Sequence, residues 1–559
     1  MRALPALSVP GFRSATSPLL GCAALLLLGA CAGRGSGPAM TPVPQPPITV
    51  TPAPAPAPAP APEPTAADTA RGDWHRLDLT TDGVPGVGSE RALRELLANR
   101  QPRRQVVVAV LDGGIDTAHT LLSRQLWRNS RETPGNGRDD DRNGRIDDVL
   151  GWNFTATGSG DPVHHDTFEV TRLHAACRGQ PAGRDTPRPS ASTCDSLATA
   201  YRAKSQEVNG TLRQILGIEG AFTNASTALA TALGAKPTPA TVSAFSATTP
   251  ALEQAKRLYL QLAANGLDED ALKEAKAAYS GQARYGLDTL YQPRGAADTT
   301  GSRDVMGPDA LHGTHVAGII GAARGAGNAV QGIAPSVQLM AVRVVPDGDE
   351  RDDDVARAIR YAVDQGAQII NMSFGKAYSP RKAAVDSAVR YAVAKGVLLV
   401  HAAGNDAEDN DVTPSYPSSV LLDGARAATW MEVGASTRHA DQRLPAGFSN
   451  YGQTRVDLFA PGDAILSTAP GGGFKRESGT SMAAPVVSGV AALLMAYFPE
   501  LTATQVKALL LETARRFPGL EVETPGSGEK VAFAKLSASG GVIDAYAAVK
   551  AAMEREIRK

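Results

Sequence analysis

A serine near the C-terminal end of the chain lies in a setting suited to nucleophilic chemistry. Ser481 stands within a run of small residues, Gly479-Thr480-Ser481-Met482-Ala483-Ala484-Pro485, that leads into an apolar stretch predicted as a helix over Met482–Tyr497. Unpaired N–H groups at a helix N-terminus can hold the negative oxygen of an acyl-transfer intermediate. Because a serine alone is a weak nucleophile, it needs a base and an acid that orients the base.

Two other segments supply a candidate base and a candidate acid. The apolar run Val106–Leu111 predicts a buried parallel strand, and it is followed by Asp112 and two glycines. This places the Asp112 carboxylate at the carboxyl edge of a sheet, where open α/β folds bind their ligands. His312 precedes small and apolar residues that predict a helix. The chain order Asp112, His312, Ser481 is the order of the subtilisin triad.

Two neighbours of these candidates carry different predictions. His312 and His315 could form a metal-binding pair, but neither an adjacent glutamate nor a third ligand accompanies them. We therefore expect His315 to pack beneath the site as a structural histidine. Asp116 is expected to support the local turn that follows Asp112.

Five segments together carry a resemblance to a known family. The chain resembles the subtilisin-like serine proteases, or subtilases, in an Asp-box, a His-box, a Ser-box, a segment with an asparagine and a substrate-pairing segment. In that order these are Leu111–Asp116, His312–Gly318, Gly479–Pro485, His401–Asn405 and Asn371–Gly375. The chain departs from the family at Gly113, where members usually carry serine or threonine, so that the carboxylate is kept and a hydroxyl is lost.

The resemblance implies an activity and a set of residue roles. It implies a serine endopeptidase that hydrolyses peptide bonds of exposed polypeptides through an acyl-enzyme and needs no cofactor for the chemistry. The implied roles are Ser481 as nucleophile, His312 as general base, Asp112 as orienting acid, Asn405 as oxyanion-hole donor, and Ser373, Phe374, Gly375, Ala403 and Gly404 as substrate-binding residues. Protein and peptide substrates are the expected partners.

Two other functions use the same residues. One is a catalytically idle, subtilase-shaped binding protein, against which the intact set of catalytic residue types argues. The other is an esterase or lipase with the same triad. That enzyme class normally shows Gly-x-Ser-x-Gly around its nucleophile, and Ser481 lacks this pattern.

The alternation of predicted strands and helices indicates the fold class. From residue 337 onward it predicts an α/β fold, a doubly wound, mostly parallel sheet with helices on both faces. The predicted catalytic domain covers residues 105–155 and 300–550. Its flanks are a lead-in at 71–104 and a tail at 551–559. Residues 156–299 predict a helical insertion, with helices at Leu197–Leu216, Leu252–Ala264 and Glu269–Leu290. The insertion's role stays open between surface elaboration, substrate gating and partner docking.

The N-terminal residues predict export. Residues 1–30 have the charge and apolar pattern of a signal peptide, and Leu28-Gly29-Ala30-Cys31 resembles a bacterial lipoprotein box. That resemblance implies lipid on Cys31 and attachment to a bacterial membrane, the outer one where the source has one. Ordinary secretion with cleavage near the same residues is the alternative. The Pro/Ala-rich residues 31–70 predict an extended linker.

Cysteine usage and charge fit an exported enzyme. Cys177 and Cys194 remain after the signal and the lipid candidate, and we expect them to form a disulfide. The formal net charge of −1 and a pI near 6.8 give no indication of nucleic-acid binding.

An acidic loop predicts a structural calcium ion. Asp139, Asp141, Asn143 and Gly144 match the first half of an EF-hand-like loop, with alternate oxygen ligands and a glycine for the sharp turn. The distal glutamate of such a loop is missing, and Asp147 or Asp148 is the expected substitute. A solvated acidic turn is the alternative.

Overall fold

A computed structural model of the protein describes residues 73–183, 186–295, 298, 300–325, 328 and 330–557. The predicted signal peptide, the lipidation candidate Cys31 and the proline-rich linker lie outside the described residues.

A nine-stranded sheet forms the centre of the fold. Its order is β10-β13-β7-β6-β5-β4-β1-β3-β2, and all neighbours run parallel except β10 and β13. The predicted doubly wound, mostly parallel sheet is confirmed. Two hairpins, β8–β9 and β11–β12, lie outside this sheet. The strands are β1 Val106–Asp112, β2 Gly151–Asn153, β3 Val337–Arg343, β4 Ile369–Met372, β5 Leu398–Ala402, β6 Trp430–Ser436, β7 Leu458–Pro461, β8 Ile465–Ala469, β9 Gly473–Glu477, β10 Arg515–Arg516, β11 Glu521–Glu523, β12 Lys530–Ala532 and β13 Gly541–Val542.

Helices cover both faces of the sheet. They are α1 Leu79–Asp82, α2 Ser89–Arg91, α3 Glu169–Cys177, α4 Ala191–Leu233, α5 Pro239–Ala244, α6 Pro250–Ala264, α7 Glu269–Gly281, α8 Leu311–Gly321, α9 Asp352–Asp364, α10 Lys382–Ala394, α11 Thr480–Tyr497, α12 Ala503–Glu512 and α13 Ala545–Ile557. Because side chains alternate along a strand, Val108 and Val110 of β1 pack with α8 and α11. Leu111 of the same strand packs with α9 and α10 on the opposite face.

Helix α11 lies at the centre of one apolar layer. Among the described helices, it alone is long and apolar enough to span a bilayer, and 94% of it is buried inside the protein. Its residues pack against the central strands and against α8. The helix is therefore a core element that holds its first turn, with Ser481, at a fixed place on the sheet.

The segment between β2 and α8 is helical and has a small core of its own. Helices α4, α6 and α7 pack around an apolar cluster, Ile215, Phe222, Tyr259, Leu262 and Leu272 among its members. Cys177 at the end of α3 and Cys194 in α4 form a disulfide with a Cα–Cα distance of 5.6 Å. This bond fixes the start of the long helix to the helix that precedes it.

Two helix bounds in this segment differ from the sequence predictions. The helix expected at Leu197–Leu216 is part of the 43-residue α4, which continues through alanine-rich sequence until Gly234 ends it with a φ of +68°. The helix expected at Glu269–Leu290 is α-helical only to Gly281 and continues as a π turn to Gly286. Glycine has a low helix propensity, and Gly234 and Gly281 lie where these two α-helices end.

Candidate active site

Asp112 and His312 form a hydrogen-bonded pair at the carboxyl edge of the sheet. Asp112 is the last residue of β1, and His312 lies in the first turn of α8. His312 Nδ1 donates to Asp112 Oδ1 at 2.8 Å, and the Gly113 N–H donates to the same oxygen at 2.7 Å. A Cβ on Gly313 would lie 2.2 Å from the Gly114 carbonyl oxygen, so glycine is needed for α8 to approach β1 this closely.

The pair raises the pKa of His312. Desolvation lowers this pKa, but the charge of Asp112 and the hydrogen bond to it outweigh the desolvation. The His312 side chain is still 45% exposed, whereas that of Asp112 is 4% exposed. Asp112 Oδ2 is buried without a hydrogen-bond partner among the described residues. The imidazole can therefore exchange protons with a substrate while the carboxylate stays fixed behind it.

Ser481 lies in the first turn of α11, where a proline changes the backbone bonding. Pro485 has no N–H to donate to the Ser481 carbonyl, the usual helical acceptor four residues earlier. The freed carbonyl accepts from Ser373 Oγ at 2.9 Å, and Ser481 Oγ donates to the Ser373 carbonyl at 3.1 Å. These two bonds join the start of α11 to the end of β4.

A buried chain of side chains holds Ser373 in this position. Ser488 Oγ donates to Asn371 Oδ1 at 2.9 Å, and Asn371 Nδ2 donates to Ser373 Oγ at 2.9 Å. All three residues are buried. The structure thus pairs His312 with Asp112 and places the Ser481 hydroxyl on Ser373. Catalytic hydrogen bonds between nucleophile and base often tighten only when substrate binds.

The side chain of Asn405 is oriented by Thr480. Asn405 Oδ1 accepts from the Thr480 N–H at 2.8 Å and from Thr480 Oγ1 at 3.0 Å, and the Gly404 N–H donates to Thr480 Oγ1 at 3.1 Å. With its oxygen engaged, Asn405 has its Nδ2 donors left for another acceptor. A Cβ added to Gly479 would lie 3.5 Å from Asn405 Nδ2 and 3.6 Å from the Ser481 backbone nitrogen. The nitrogens of these two donors therefore lie near the same point, which glycine leaves open.

The predicted substrate-binding residues lie at the ends of two neighbouring strands. Ser373–Gly375 follow β4 and Gly404 follows β5, which pairs with β4 in parallel. Among the described residues, the backbone groups of Phe374 and Gly375 have no hydrogen-bond partner. Ala403 differs from the others: its side chain is fully buried, and its carbonyl accepts from Asn410 and Asn450. Ala403 therefore supports this edge from beneath and offers it no free surface.

His315 and Asp116 bond to neighbouring loops and strands. His315 is buried with its Nε2 3.0 Å from the carbonyl oxygens of both Ile465 and Lys475. Burial, the largest effect, lowers the pKa of His315 to about 4, so the ring is neutral. Asp116 accepts from the N–H groups of Ala118 and Gly471 at 2.9 Å each.

In the acidic loop the structure groups a different set of residues from the predicted one. Carboxylate oxygens of Glu132, Asp139 and Asp141 lie within 4.8 Å of one another. Asn143 Oδ1 is buried there and has no partner among the described residues. Asp147, by contrast, lies outside this group, because its carboxylate accepts from the N–H groups of Gly135 and Gly137 and pairs with Arg303.

Two features were missed from the sequence. Glu132 lies seven positions before the acidic motif, and nothing in its local sequence distinguishes it. The charged residues that join the helical segment to the sheet were also missed, chief among them Asp166, Glu169, Arg172 and Lys376. They are common residue types at unremarkable spacings, and no local signal separates them from surface charges.

Comparisons with known proteins identify the family of this chain. The family model described as "Subtilase family" matches residues 103–539. "Thermophilic serine proteinase" of Bacillus sp. (strain AK1) is 41% identical over 184 residues, which are 33% of this chain and 42% of that protein. "Alkaline serine exoprotease A" of Vibrio alginolyticus is 35% identical over 276 residues, 49% of this chain and 45% of that one. The chain thus spans less than half the length of these two relatives.

A shorter relative and two solved structures complete the comparison. "Subtilisin BL" of Lederbergia lenta is 38% identical over 204 residues, 36% of this chain and 70% of that protein. A mutant of the protease domain of PatA is 32% identical, covering 44% of this chain and 82% of that one, with a TM-score of 0.35. The prenylagaramide maturation protease PagA is 31% identical, covering 44% and 84%, with a TM-score of 0.36. By the extent of the family match, the chain belongs to the subtilase family.

Proposed function

We propose that the protein is a serine endopeptidase that cleaves exposed polypeptides with Asp112, His312 and Ser481. The observation that carries the proposal is the 2.8 Å hydrogen bond between His312 and Asp112 at the same sheet edge as Ser481. A buried carboxylate on Nδ1 leaves Nε2 of His312 as the proton acceptor for a neighbouring hydroxyl.

In the proposed first step, His312 takes the Ser481 proton while Oγ forms a bond to the substrate carbonyl carbon. The negative oxygen of the tetrahedral intermediate accepts from the Ser481 N–H and from Asn405 Nδ2, the two donors whose nitrogens lie near the space beside Gly479. Collapse of the intermediate breaks the C–N bond, and His312 returns its proton to the leaving amine. The product of this step is an acyl-enzyme ester on Ser481.

In the proposed second step, water replaces the amine. His312 takes a proton from the water, whose oxygen attacks the ester carbon, and then returns a proton to Ser481 Oγ as the acid leaves. Asp112 stays ionised throughout and stabilises the charged imidazole. All atoms and protons of the hydrolysis are supplied by the substrate, the water and these side chains.

Hydrolysis of casein and of a short-chain ester tests the proposal against its two rivals. A protease cleaves casein, and Ser481→Ala lowers its rate by about 10⁶-fold, as is typical when a triad nucleophile is removed. An esterase would hydrolyse the ester and leave casein intact. A binding protein would cleave neither, and this result would refute the proposal.

We also propose a structural calcium ion at Glu132, Asp139, Asp141 and the Asn143 side-chain oxygen. Hard oxygen donors of this kind suit calcium, and three close carboxylates repel one another without a cation. The ion would hold the loop and take no part in the chemistry. A chelator should lower the unfolding midpoint of the wild type, and it should have a smaller effect on Asp139→Asn. Equal midpoints with and without chelator would refute the site.

Finally, we propose that the protein is exported and held on a bacterial membrane through lipid on Cys31. The support is the sequence pattern around Cys31 and a Cys177–Cys194 disulfide, a bond typical of exported proteins. Radiolabelled palmitate should enter the wild-type protein and be absent from Cys31→Ala. Equal labelling of both proteins, or of neither, would refute the anchor.

A further inference from the structure

The backbone available for pairing with a substrate is short. Ser373 O lies at the Ser481 hydroxyl, and the backbone groups of Phe374 and Gly375 have no partner among the described residues. The next residue, Lys376, has its backbone engaged, because its N–H and carbonyl both bond to Tyr416 at 2.9 Å. The free edge therefore ends at Gly375, two residues after the first contact with the nucleophile.

A second segment of the chain, which ends at Glu350, meets this free backbone edge at Lys376. Directly after β3, the N–H groups of Val344 and Val345 donate to the Asp112 carbonyl. The chain then continues to Glu350, whose carbonyl contacts Lys376. We take the space between Ser373–Gly375 and Asp347–Glu350 as the substrate groove of the proposed peptidase. Its two walls meet at Lys376, because Lys376 Nζ donates to the Glu350 carbonyl at 2.6 Å.

The helical insertion locks the walls together at this point. Lys376 Nζ also lies 2.7 Å from the Glu169 carboxylate at the start of α3 and 2.9 Å from that of Asp352. Arg172 of α3 binds Glu169 at 2.7 Å and donates to the Glu350 carbonyl at 3.4 Å. The side chain of Lys376 is 1% exposed and that of Glu169 3% exposed. Water and substrate are thus both excluded from this junction.

The long helix α4 packs beside α3 near the same junction. Its Lys204 pairs with Glu207 at 2.9 Å and lies over the Phe168 ring, 5.0 Å from the ring centre. Burial lowers the pKa of Lys204, and the attraction of Glu207, Asp349 and Asp406 outweighs it, so the pKa is raised. Asp349 belongs to one wall of the groove, and Asp406 follows Asn405. Helix α4 therefore packs against the start of α3, next to the closed end of the groove.

We propose, on the basis of the proposed peptidase function, that the insertion closes the groove at Lys376 and limits substrate pairing to about three residues on the amino-terminal side of the scissile bond. An extended chain advances about 3.3 Å per residue, so one substrate residue faces each of Ser373, Phe374 and Gly375. The assignment to the amino-terminal side is part of the proposal, and the peptide series below tests it. Longer substrates must leave the groove after the third residue.

A peptide series on the purified wild-type protein tests the proposal. Acetylated peptides share the scissile bond and the carboxyl-side residues and carry two, three, four or six residues before that bond. From two to three residues kcat/KM should rise about 2- to 10-fold, as one added pair of backbone hydrogen bonds allows. From three to six it should change by less than about 2-fold. A further rise of about tenfold beyond the third residue would overturn the proposal.

A double variant tests whether the insertion sets this limit. Lys376→Met with Glu169→Gln removes the pair of charges at the closed end together, which avoids leaving either one unpaired. In a variant that stays folded, kcat/KM should continue to rise through the fourth and sixth residues. Lys276→Gln, which breaks a partly exposed ion pair with Glu219 inside the insertion, should keep the wild-type pattern. An unchanged pattern in the folded double variant would contradict the assignment to Lys376.

The outcomes separate this inference from the proposed function. If no peptide of any length is cleaved, the peptidase proposal fails. If peptides are cleaved but the length dependence continues past three residues, the peptidase proposal stands and the closed groove is wrong.

Discussion

The active-site edge and the insertion interface use ionisable groups in opposite ways. At the active-site edge, His312 keeps 45% of its side chain exposed beside a buried carboxylate. At the insertion interface, the side chains of Glu169, Arg172 and Lys376 are each at most 3% exposed and bind one another. Their surroundings hold the pKa of Glu169 near 2, against the opposing effect of burial, and raise that of Lys376. His312 can gain and lose a proton, whereas Glu169 and Lys376 keep their charges near neutral pH.

This difference indicates what each region does. A general base has to gain and lose a proton in every cycle, so its pKa is tuned and its ring is reachable. A set of buried, mutually satisfied charges resists change and fixes geometry, although its net contribution to stability can be small. The first arrangement fits chemistry, and the second fits a permanent wall on the groove.

The largest effect is expected from removing the orienting charge on the active-site side of the comparison. Asp112→Asn should lower kcat by about 10⁴-fold, because the amide no longer holds the imidazole in the correct tautomer. Desolvation lowers the pKa of His312 and Asp112 raises it, so the acid limb of kcat/KM should move to lower pH in the variant. Asp309→Asn, an exposed charge near His312, is the control and should change kcat little. Equal losses in both variants would contradict the account.

On the insertion side, removing one partner should cost stability instead. Lys376→Met leaves the buried carboxylate of Asp352 without its cation and Glu169 with Arg172 alone, and we expect a loss of about 3 to 5 kcal/mol in the free energy of unfolding. Lys276→Met, at a partly exposed pair, should cost at most about 1 kcal/mol. Urea unfolding measures both. A loss below 1 kcal/mol in Lys376→Met would show that the interface is not closed.

The same interface predicts how stability responds to acid. Burial opposes ionisation of Asp166 and Glu169, but Arg351, Arg172 and Lys376 outweigh it and lower both pKa values to about 2. These groups stabilise the fold above their unfolded pKa values. Their contribution, about 2 to 3 kcal/mol each, is lost as the pH falls from about 4.5 through 2. Unfolding by urea at several pH values should show this loss, and a flat profile below pH 4.5 would contradict it.

Glu350 acts in the opposite direction at higher pH. Its burial raises the pKa of this carboxyl group to about 7. The folded state therefore holds a proton that the unfolded state has released, and stability falls as the pH rises from about 4.5 to 7. Together, the three carboxyl groups predict that the free energy of unfolding measured in urea is greatest near pH 4 to 5 and falls on both sides.

The smallest effect is expected from giving the Asp112 carboxylate the partner that it lacks. A Cβ on Gly113 would lie 3.5 Å from the carbonyl oxygens of Asp309 and Val345, an ordinary contact. Gly113→Ser should supply a donor to Asp112 Oδ2 and stabilise the protein by about 1 kcal/mol. Gly113→Ala, which adds the carbon without the hydroxyl, is the matched control. A gain as large in Gly113→Ala would show that the hydroxyl is not responsible.

The two regions also differ in how far the sequence predicted them. The strand before Asp112, the small residues around Ser481 and the Asn405 segment are contiguous patterns, and their spacing predicted the elements that position them. The insertion interface joins glutamate and lysine residues that are far apart in the sequence, such as Glu169 and Lys376, which are separated by 207 positions. No local pattern marks such pairs, because their burial depends on how whole elements pack. Glu132, which the structure groups with Asp139 and Asp141, likewise lies outside the local acidic pattern.

Labelling with a fluorophosphonate probe tests the central claim most directly, because the probe reacts with a serine only when a neighbouring base activates it. We expect the folded wild-type protein to be labelled at Ser481, with the adduct located by peptide mass spectrometry. Ser478→Ala, which removes an exposed hydroxyl three residues earlier, should label like the wild type. Ser481→Ala should not label at all. An unlabelled wild type, or equal labelling of Ser481→Ala, would contradict the account.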